Sequence, residues 1–324
     1  MGRRRLRRTF LLGSGIVVLL LTVGPFLIPV RPLDDTLPPE ELADSGSLFE
    51  EINGLRVHYK VIGKGPPDLV LLHGFGASLF SWREVMEPLA ALCRVVAFDR
   101  PAFGLTERPM PGDWHGDSPY GPESQVSLTV GLMDRQGMEE AVLVGHSAGG
   151  RIAVLTALEY PRQVRALVLV APALGAGDGP PGWVNPLLGT PQMRRLGPLL
   201  VRSISSSGEG TIRLAWHDPK RITDEIMEGY TKPLQVEDWD RALWEYTISQ
   251  RIEDLVPRLH EIAVPVMVIT GDDDRIVPPD RSADLVNHLP DARLVVIPRC
   301  GHLPQEEYPD VFAEEVARFL NGLP

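Results

Sequence analysis

The sequence predicts an α/β fold in which helices flank a mostly parallel sheet, and three observations carry that expectation. Short apolar runs alternate with amphipathic stretches along the body of the chain; one apolar run passes directly into Gly-x-Ser-x-Gly; and two later runs end in an acidic turn and in a histidine loop. Strands joined by crossover helices read this way because parallel strands are covered on both faces and stay apolar from end to end.

Composition leaves room for such a core. The chain has 324 residues, 44% of them hydrophobic, enough for one large domain. Its formal charge is −11, and because Arg3, Arg4, Arg5, Arg7 and Arg8 all precede the first acid, the remainder is close to about −16. Such a surface repels phosphate backbones, and no basic stripe with interleaved aromatics follows, so nucleic acid is excluded as a partner. Cys93 and Cys300 lie far apart in sequence and read as free thiols, with Cys300 a packing residue rather than a nucleophile.

Residues 1–8 form a basic segment, and residues 9–30 carry no charge. As one helix, that run would reach about 33 Å, the thickness of a bilayer core. With arginines before it and Asp34, Asp35, Glu40 and Glu41 after it, the positive-inside rule makes it a transmembrane anchor, with the lipid bilayer as a partner and the body on the extracytoplasmic side. Arg7-Arg8-Thr9-Phe10-Leu11 is also a partial twin-arginine pattern, so the alternative is an exported soluble body after signal removal. Residues 31–47, rich in proline and acid, read as a linker.

The body begins near Leu48. Strands are expected at 49–51 with 56–62, 69–72, 94–98, 141–144, 166–170, 266–270 and 293–297, and helical periodicity fills 79–92, 123–136, 148–159, 280–288 and 309–320. The strand-bearing core is therefore 48–173 and 263–324. Residues 174–262 contain no convincing strand, open on a Gly/Pro-rich stretch, and carry Trp183, Trp216, Trp239 and Trp244 in helical patches. They read as an inserted helical cap, its tryptophans mostly core and its underside apolar.

The run 142–144 leads into Gly145-His146-Ser147-Ala148-Gly149-Gly150 and then into a helical pattern. A sharp strand-to-helix turn strains the residue at its apex and leaves no space for side chains two positions to either side, a demand that Gly145 and Gly149 meet. Ser147 then sits at a helix N-terminus, where the dipole and free N–H groups favour negative charge developing on oxygen. A serine hydroxyl needs a base to take its proton and a carboxylate to orient that base. Both are supplied downstream: Gly271-Asp272-Asp273-Asp274 follows one apolar run and Cys300-Gly301-His302 follows the last. The oxyanion that forms on attack needs two N–H donors, one of them from the residue after the nucleophile, Ala148.

In this order, Ser then Asp then His, the chain resembles the α/β-hydrolase superfamily over roughly 48–323. His73-Gly74-Phe75-Gly76 after an early strand, and Asp99-Arg100-Pro101-Ala102-Phe103-Gly104-Leu105-Thr106 after the next, are similar to motifs of that superfamily. The resemblance implies an acid three positions after a glycine, which selects Asp274 with Asp273 as runner-up. An acid one strand earlier would be Asp178, in a segment without the family's pattern. The resemblance also implies Phe75 as the second oxyanion donor, with Gly74 and Gly76 allowing tight approach and His73 in a structural role. A serine nucleophile disfavours the dehalogenase and epoxide hydrolase branches, which use aspartate there.

The expectation is a serine hydrolase, carboxylesterase or lipase-like, acting on an apolar ester or lipid. The alternatives are a carbon–carbon bond hydrolase of vinylogous diketones and a non-catalytic, membrane-tethered binding protein. With no His-x-x-x-His, no Cys-x-x-Cys and no Gly-rich loop ending in Lys-Ser or Lys-Thr, neither metal nor nucleotide cofactor is expected.

Overall fold

The computed structural model describes residues 2–175, 184–205, 208–250 and 253–323; Asp178 and Trp183 lie outside them. Eight strands, β1 (Leu48–Ile52), β2 (Leu55–Ile62), β3 (Asp68–Leu72), β4 (Arg94–Phe98), β5 (Ala141–His146), β6 (Val164–Val170), β7 (Val266–Gly271) and β8 (Ala292–Ile297), form one sheet. Its order is β1-β2-β4-β3-β5-β6-β7-β8. The β1–β2 hairpin and the β2–β4 pair are antiparallel, and every later pair is parallel.

Alternate residues of one strand feed two different cores, the consequence of a two-residue side-chain period. Val70 and Leu72 of β3 join Leu143, Leu167 and Leu169 on one face, while Leu69 and Leu71 join Val142, Val144 and Val168 on the other. Helices α5 (Pro122–Arg135), α6 (Ala148–Glu159) and α12 (Pro279–Leu285) cover the first face through Leu132, Ile152 and Leu285. Helices α4 (Arg83–Ala90) and α14 (Pro309–Asn321) cover the second through Val85, Leu89, Phe312 and Val316. At about 1.5–3 kcal/mol for each fully buried aliphatic or aromatic side chain, these layers supply most of the favourable free energy of folding.

Between β6 and β7 the described residues form helices and no strand: α7 (Asn185–Leu188), α8 (Pro191–Ser205), α9 (Gly208–Ala215), α10 (Asp224–Thr231) and α11 (Trp239–Ser249), with short 3₁₀ turns. Trp239 and Trp244 are buried together with Val201 within this layer, and Trp216 is buried with Ala215 of the layer and Leu303 of the loop after β8. Helices α8 and α11 lie close because Gly197 faces the Trp244 ring, where an added Cβ would come within 2.0 Å of it. The short α13 (Pro304–Glu307) follows β8 and precedes α14.

The N-terminal expectation is corrected. Residues 2–27 form α1 (Gly2–Thr22) and α2 (Gly24–Leu27), with α3 (Pro39–Leu42) further on, and among the described residues no helix is long and apolar enough to cross a membrane. The uncharged run does not form one helix: it breaks at Val23, ahead of Gly24 and Pro25, and turns extended at Ile28. The apolar part of α1 after Arg8 therefore rises only about 21 Å, against a bilayer core of about 30 Å. The membrane anchor, and the extracytoplasmic placement of the body drawn from it, fall with that helix. The segment is instead fastened to the cap: Gln192 Nε2 donates to the Thr22 carbonyl at 3.1 Å, and Arg195 donates to the carbonyls of Pro25 and Ile28 at 3.1 and 2.9 Å. The stretch 31–47 is no free spacer either. Leu37 exchanges backbone hydrogen bonds with Gln235 and Glu237, and Leu42 is buried.

Candidate active site

The turn between β5 and α6 holds Ser147 at φ +50°, ψ −116°, a conformation a non-glycine residue keeps only where its surroundings over-determine it. They do so here. Ser147 N–H donates to the Val170 carbonyl at 2.9 Å, and its carbonyl accepts from Gly150 and Ala173. Any side chain at Gly145 would meet Gly150 Cα at 2.6 Å, and one at Gly149 would meet the Leu72 carbonyl oxygen at 2.2 Å. These two glycines let the helix start against the sheet edge. Ala148 is the first residue of α6, so its N–H is among those without an acceptor inside the helix.

The second loop lies alongside. A Cβ on Gly74 would sit 3.3 Å from Ser147 Cβ and 2.7 Å from His146 Nδ1, and Gly76 has φ +68°. Phe75 between them is more than half exposed, its ring edge-on to Phe103 at 5.6 Å and tilted against Tyr246 of α11 at 5.9 Å. His73 anchors the loop from below: its Nδ1–H donates to the Gly74 carbonyl at 2.8 Å and its Nε2 accepts from Arg100 N–H at 3.0 Å. Burial, with Arg100 nearby, pushes its pKa down to about 3, so it stays neutral and carries no proton through the reaction.

His302 and Asp274 come together from the ends of β8 and β7. His302 Nδ1 and Asp274 Oδ2 are 2.8 Å apart, with both side chains almost wholly buried. The other carboxylate oxygen, Oδ1, accepts from the Ile276 and Val277 N–H groups at 2.8 and 2.9 Å. A carboxylate already accepting from the backbone is an acceptor toward histidine too, so Nδ1 carries the proton and Nε2 is the free base. His146, next to the serine, lies tilted against the His302 ring with centroids 4.7 Å apart and donates from Nε2 to the His302 carbonyl at 2.9 Å. Burial, with His302 alongside, holds the His146 pKa well below the usual histidine range.

The three consecutive aspartates have three different partners. Asp272 accepts from Arg299 N–H at 2.7 Å. Asp273, the runner-up, turns away to His217 of the cap at 2.7 Å and to Arg275. Only Asp274 faces His302.

Sequence reasoning missed the groups that tie the cap to this loop. His302 N–H donates to the Ala215 carbonyl at 2.7 Å. Buried Glu307 accepts from Gly301 N–H at 2.6 Å and from His217 N–H at 2.9 Å. Its neighbour Glu306, also buried, accepts from Tyr230 of α10 and pairs with Arg83 of α4 at 2.7 Å. Burial raises the pKa of both carboxyls. Nothing in a single sequence separates such glutamates from the solvated ones of a surface helix. Both cysteines are buried and free; burial pushes Cys93 up to about 11 and raises Cys300 further, so neither offers a thiolate.

A family model described as alpha/beta hydrolase fold matches residues 67–309. The chain is 32% identical over 301 residues to a 2-hydroxy-6-oxononadienedioate/2-hydroxy-6-oxononatrienedioate hydrolase of Paraburkholderia phymatum, covering 89% of this chain and 99% of that protein. It is 32% identical over 282 residues to a 2-hydroxy-6-oxo-6-phenylhexa-2,4-dienoate hydrolase of Burkholderia cepacia, covering 84% and 93%. Among solved structures, a meta-cleavage product hydrolase from Pseudomonas fluorescens IP01 superposes with a TM-score of 0.65 at 26% identity, covering 85% of this chain and 97% of that one.

Proposed function

The chain belongs to the α/β-hydrolase fold family, and on that premise we propose that it hydrolyses a carbon–carbon bond in a vinylogous diketone of the 2-hydroxy-6-oxo-dienoate class. The observation that carries this reading is the likeness, over nearly their whole length, to hydrolases named for such substrates. It displaces the carboxylester reading, which rested on ester hydrolysis being the commonest use of the same three residues.

In this reading Ser147 Oγ attacks the 6-keto carbon while His302 Nε2 takes its proton, and Asp274 holds the imidazole in the required tautomer. The N–H groups of Ala148 and Phe75 receive the oxyanion. Collapse of the tetrahedral intermediate breaks the carbon–carbon bond. The 2-hydroxyl proton has first passed to C5, so that cleavage of the C5–C6 bond delivers its electron pair through the C3–C4 double bond onto the 2-oxo oxygen, a sink that a simple ketone would not offer, and the resulting dienolate takes up the proton from His302. Water, deprotonated by His302, then releases the acyl group from Ser147.

The test is a side-by-side assay of 2-hydroxy-6-oxo-6-phenylhexa-2,4-dienoate, followed by loss of its visible absorbance, and p-nitrophenyl butyrate. The dienoate is expected to show the higher kcat/KM. Turnover of the ester alone would overturn the reading in favour of a carboxylesterase, and no turnover of either, with no fluorophosphonate labelling of Ser147, would favour the non-catalytic alternative.

A further inference from the structure

A second set of the same three residue types lies away from the site just described. Ser47 Oγ is 2.8 Å from His58 Nε2, and His58 Nδ1 is 2.6 Å from Asp99 Oδ2. The three residues come from the end of the 31–47 stretch, from β2 and from the end of β4. His58 and Asp99 are almost wholly buried, while Ser47 is half-buried. All three line a cleft of about 850 Å³ between the 31–47 stretch, β2 and α10, whose walls include Leu79, Phe80 and Leu105.

The protons are fixed by the same reasoning as in the first site. Asp99 Oδ1 accepts from Leu79 N–H at 2.7 Å and Oδ2 from Leu105 N–H at 2.7 Å. The carboxylate is therefore an acceptor and Nδ1 of His58 the donor, so that in the neutral ring Nε2 keeps its lone pair toward Ser47, whose hydroxyl has Asp44 Oδ1 at 3.2 Å as a second acceptor. The imidazole is held in place: His58 N–H donates to Thr106 Oγ1 at 3.0 Å, that hydroxyl donates to the Asp99 carbonyl at 2.6 Å, and the ring lies 5.0 Å from Phe49. Gly104 leaves room for the carboxylate, since an added Cβ would meet Asp99 at 1.9 Å. A hydrogen-bonded serine whose partner base is oriented by a carboxylate is the arrangement that activates a hydroxyl.

We propose that Ser47 is a second nucleophile, activated by His58 and Asp99, which takes acyl or phosphonyl groups from small activated esters entering this cleft. In the acyl step, Ser47 Oγ bonds to the carbonyl carbon and its proton passes to His58 Nε2. The carbon–oxygen bond to the alcohol then breaks, and the leaving alkoxide takes that proton. Of the cations that line the cleft, Lys60, Arg83 and Lys232, Lys60 is paired with Asp44 at 2.5 Å and lies 3.9 Å from the position a Cβ on Gly46 would take, next to Ser47 in sequence. Asp44 also lies 3.2 Å from Ser47 Oγ and opposes negative charge there. The site is accordingly a slow acceptor of reactive groups.

The experiment uses the full chain carrying Ser147→Ala, exposed to a fluorophosphonate and read by intact mass and peptide mapping. One adduct on Ser47 is expected, absent when Ser47→Ala is added and formed at least about tenfold more slowly when His58→Gln is added. A folded Ser147→Ala protein with no adduct overturns the proposal, as does an adduct on any other residue alone. Should His58→Gln fail to fold, Ser47 labelling in Ser147→Ala is compared with labelling after urea unfolding. Equal rates in the two states would mean an unactivated hydroxyl and overturn the proposal; loss of the adduct on unfolding supports it.

Discussion

The two groupings of serine, histidine and aspartate in this molecule share residue types and a histidine oriented by a carboxylate, yet differ in what surrounds the serine. Ser147 stands at φ +50° where a parallel strand turns into α6, facing a glycine loop that leaves its own backbone open to approach. Ser47 is followed directly by β1, so no helix N-terminus stands behind it, and its neighbour is a carboxylate. The comparison separates two parts of catalysis that are commonly counted as one. The relay handles a proton, and any sheet that brings the three side chains together can build it. The oxyanion donors proposed for the first site would come from a strained turn and a helix start, which the second site lacks, and such electrostatic stabilisation is ordinarily the larger share.

The largest test of that difference is Ser147→Ala. Turnover of the dienoate is expected to fall by at least about 10⁴-fold, since removing a triad nucleophile leaves only oxyanion and binding contributions. The residual rate, measured at high enzyme concentration, is a ceiling on what Ser47 contributes. A residue within about tenfold of wild type would reverse the ranking of the two serines.

Next comes a pair of substitutions inside the acidic turn. Asp274→Asn is expected to cost about 10⁴-fold in kcat, because the amide stabilises the wrong histidine tautomer. Asp273→Asn loses only a half-exposed contact with His217 and Arg275 and is expected to cost less than about tenfold. Steady-state kinetics on the two purified variants decides it; equal losses would put the acid role in both residues.

This pair also marks how far the sequence was legible. The elbow, the strand ends and the cap left local signatures, because a nucleophile turn demands Gly145 and Gly149 by contact and buried strands demand unbroken apolar runs. Three aspartates in a row carry no such signature: their different partners, Arg299, His217 and His302, are supplied by segments distant in sequence. The Ser47 chain was invisible for the same reason, with its members 11 and 41 residues apart and only Asp99 in a motif, one that gave no sign of Ser47 or His58. At the N-terminus the error ran the other way. Twenty-two uncharged residues suffice for a span, but Gly24 and Pro25 end the helix, and Gln192 and Arg195 of α8 donate to the Thr22, Pro25 and Ile28 carbonyls on either side of the break.

A smaller effect is expected at Glu307, which bridges the histidine loop and the cap in the first site. Glu307→Gln keeps the size but replaces one acceptor oxygen with a donor, so one of the N–H groups of Gly301 and His217 loses its partner. We expect kcat to drop about 10–100-fold, about 1.4–2.7 kcal/mol in the barrier, with KM changed by less than about threefold. A matching rise in KM with kcat intact would instead assign Glu307 to cap closure over the substrate.

The smallest effect belongs to the second site and is a matter of stability. Burial alone would raise the Asp99 pKa, but His58, through its charge when protonated at low pH and its hydrogen bond, outweighs it together with His73 where that ring is also protonated and with the Leu79 N–H, bringing it down to about 2, against 3.8 in an unperturbed carboxyl. A carboxylate depressed in the folded state binds protons more readily when unfolded, so its contribution is complete above about pH 4 and is lost as pH falls toward 2. The shift corresponds to about 2 kcal/mol. Asp99→Asn is therefore expected to lower the unfolding free energy by about that amount at pH 7, measured in urea, with the gap to wild type closing between pH 4 and pH 2. A gap that stayed constant through that window would mean that Asp99 acts by shape and hydrogen-bond count alone, and that its charge does not hold His58 toward Ser47.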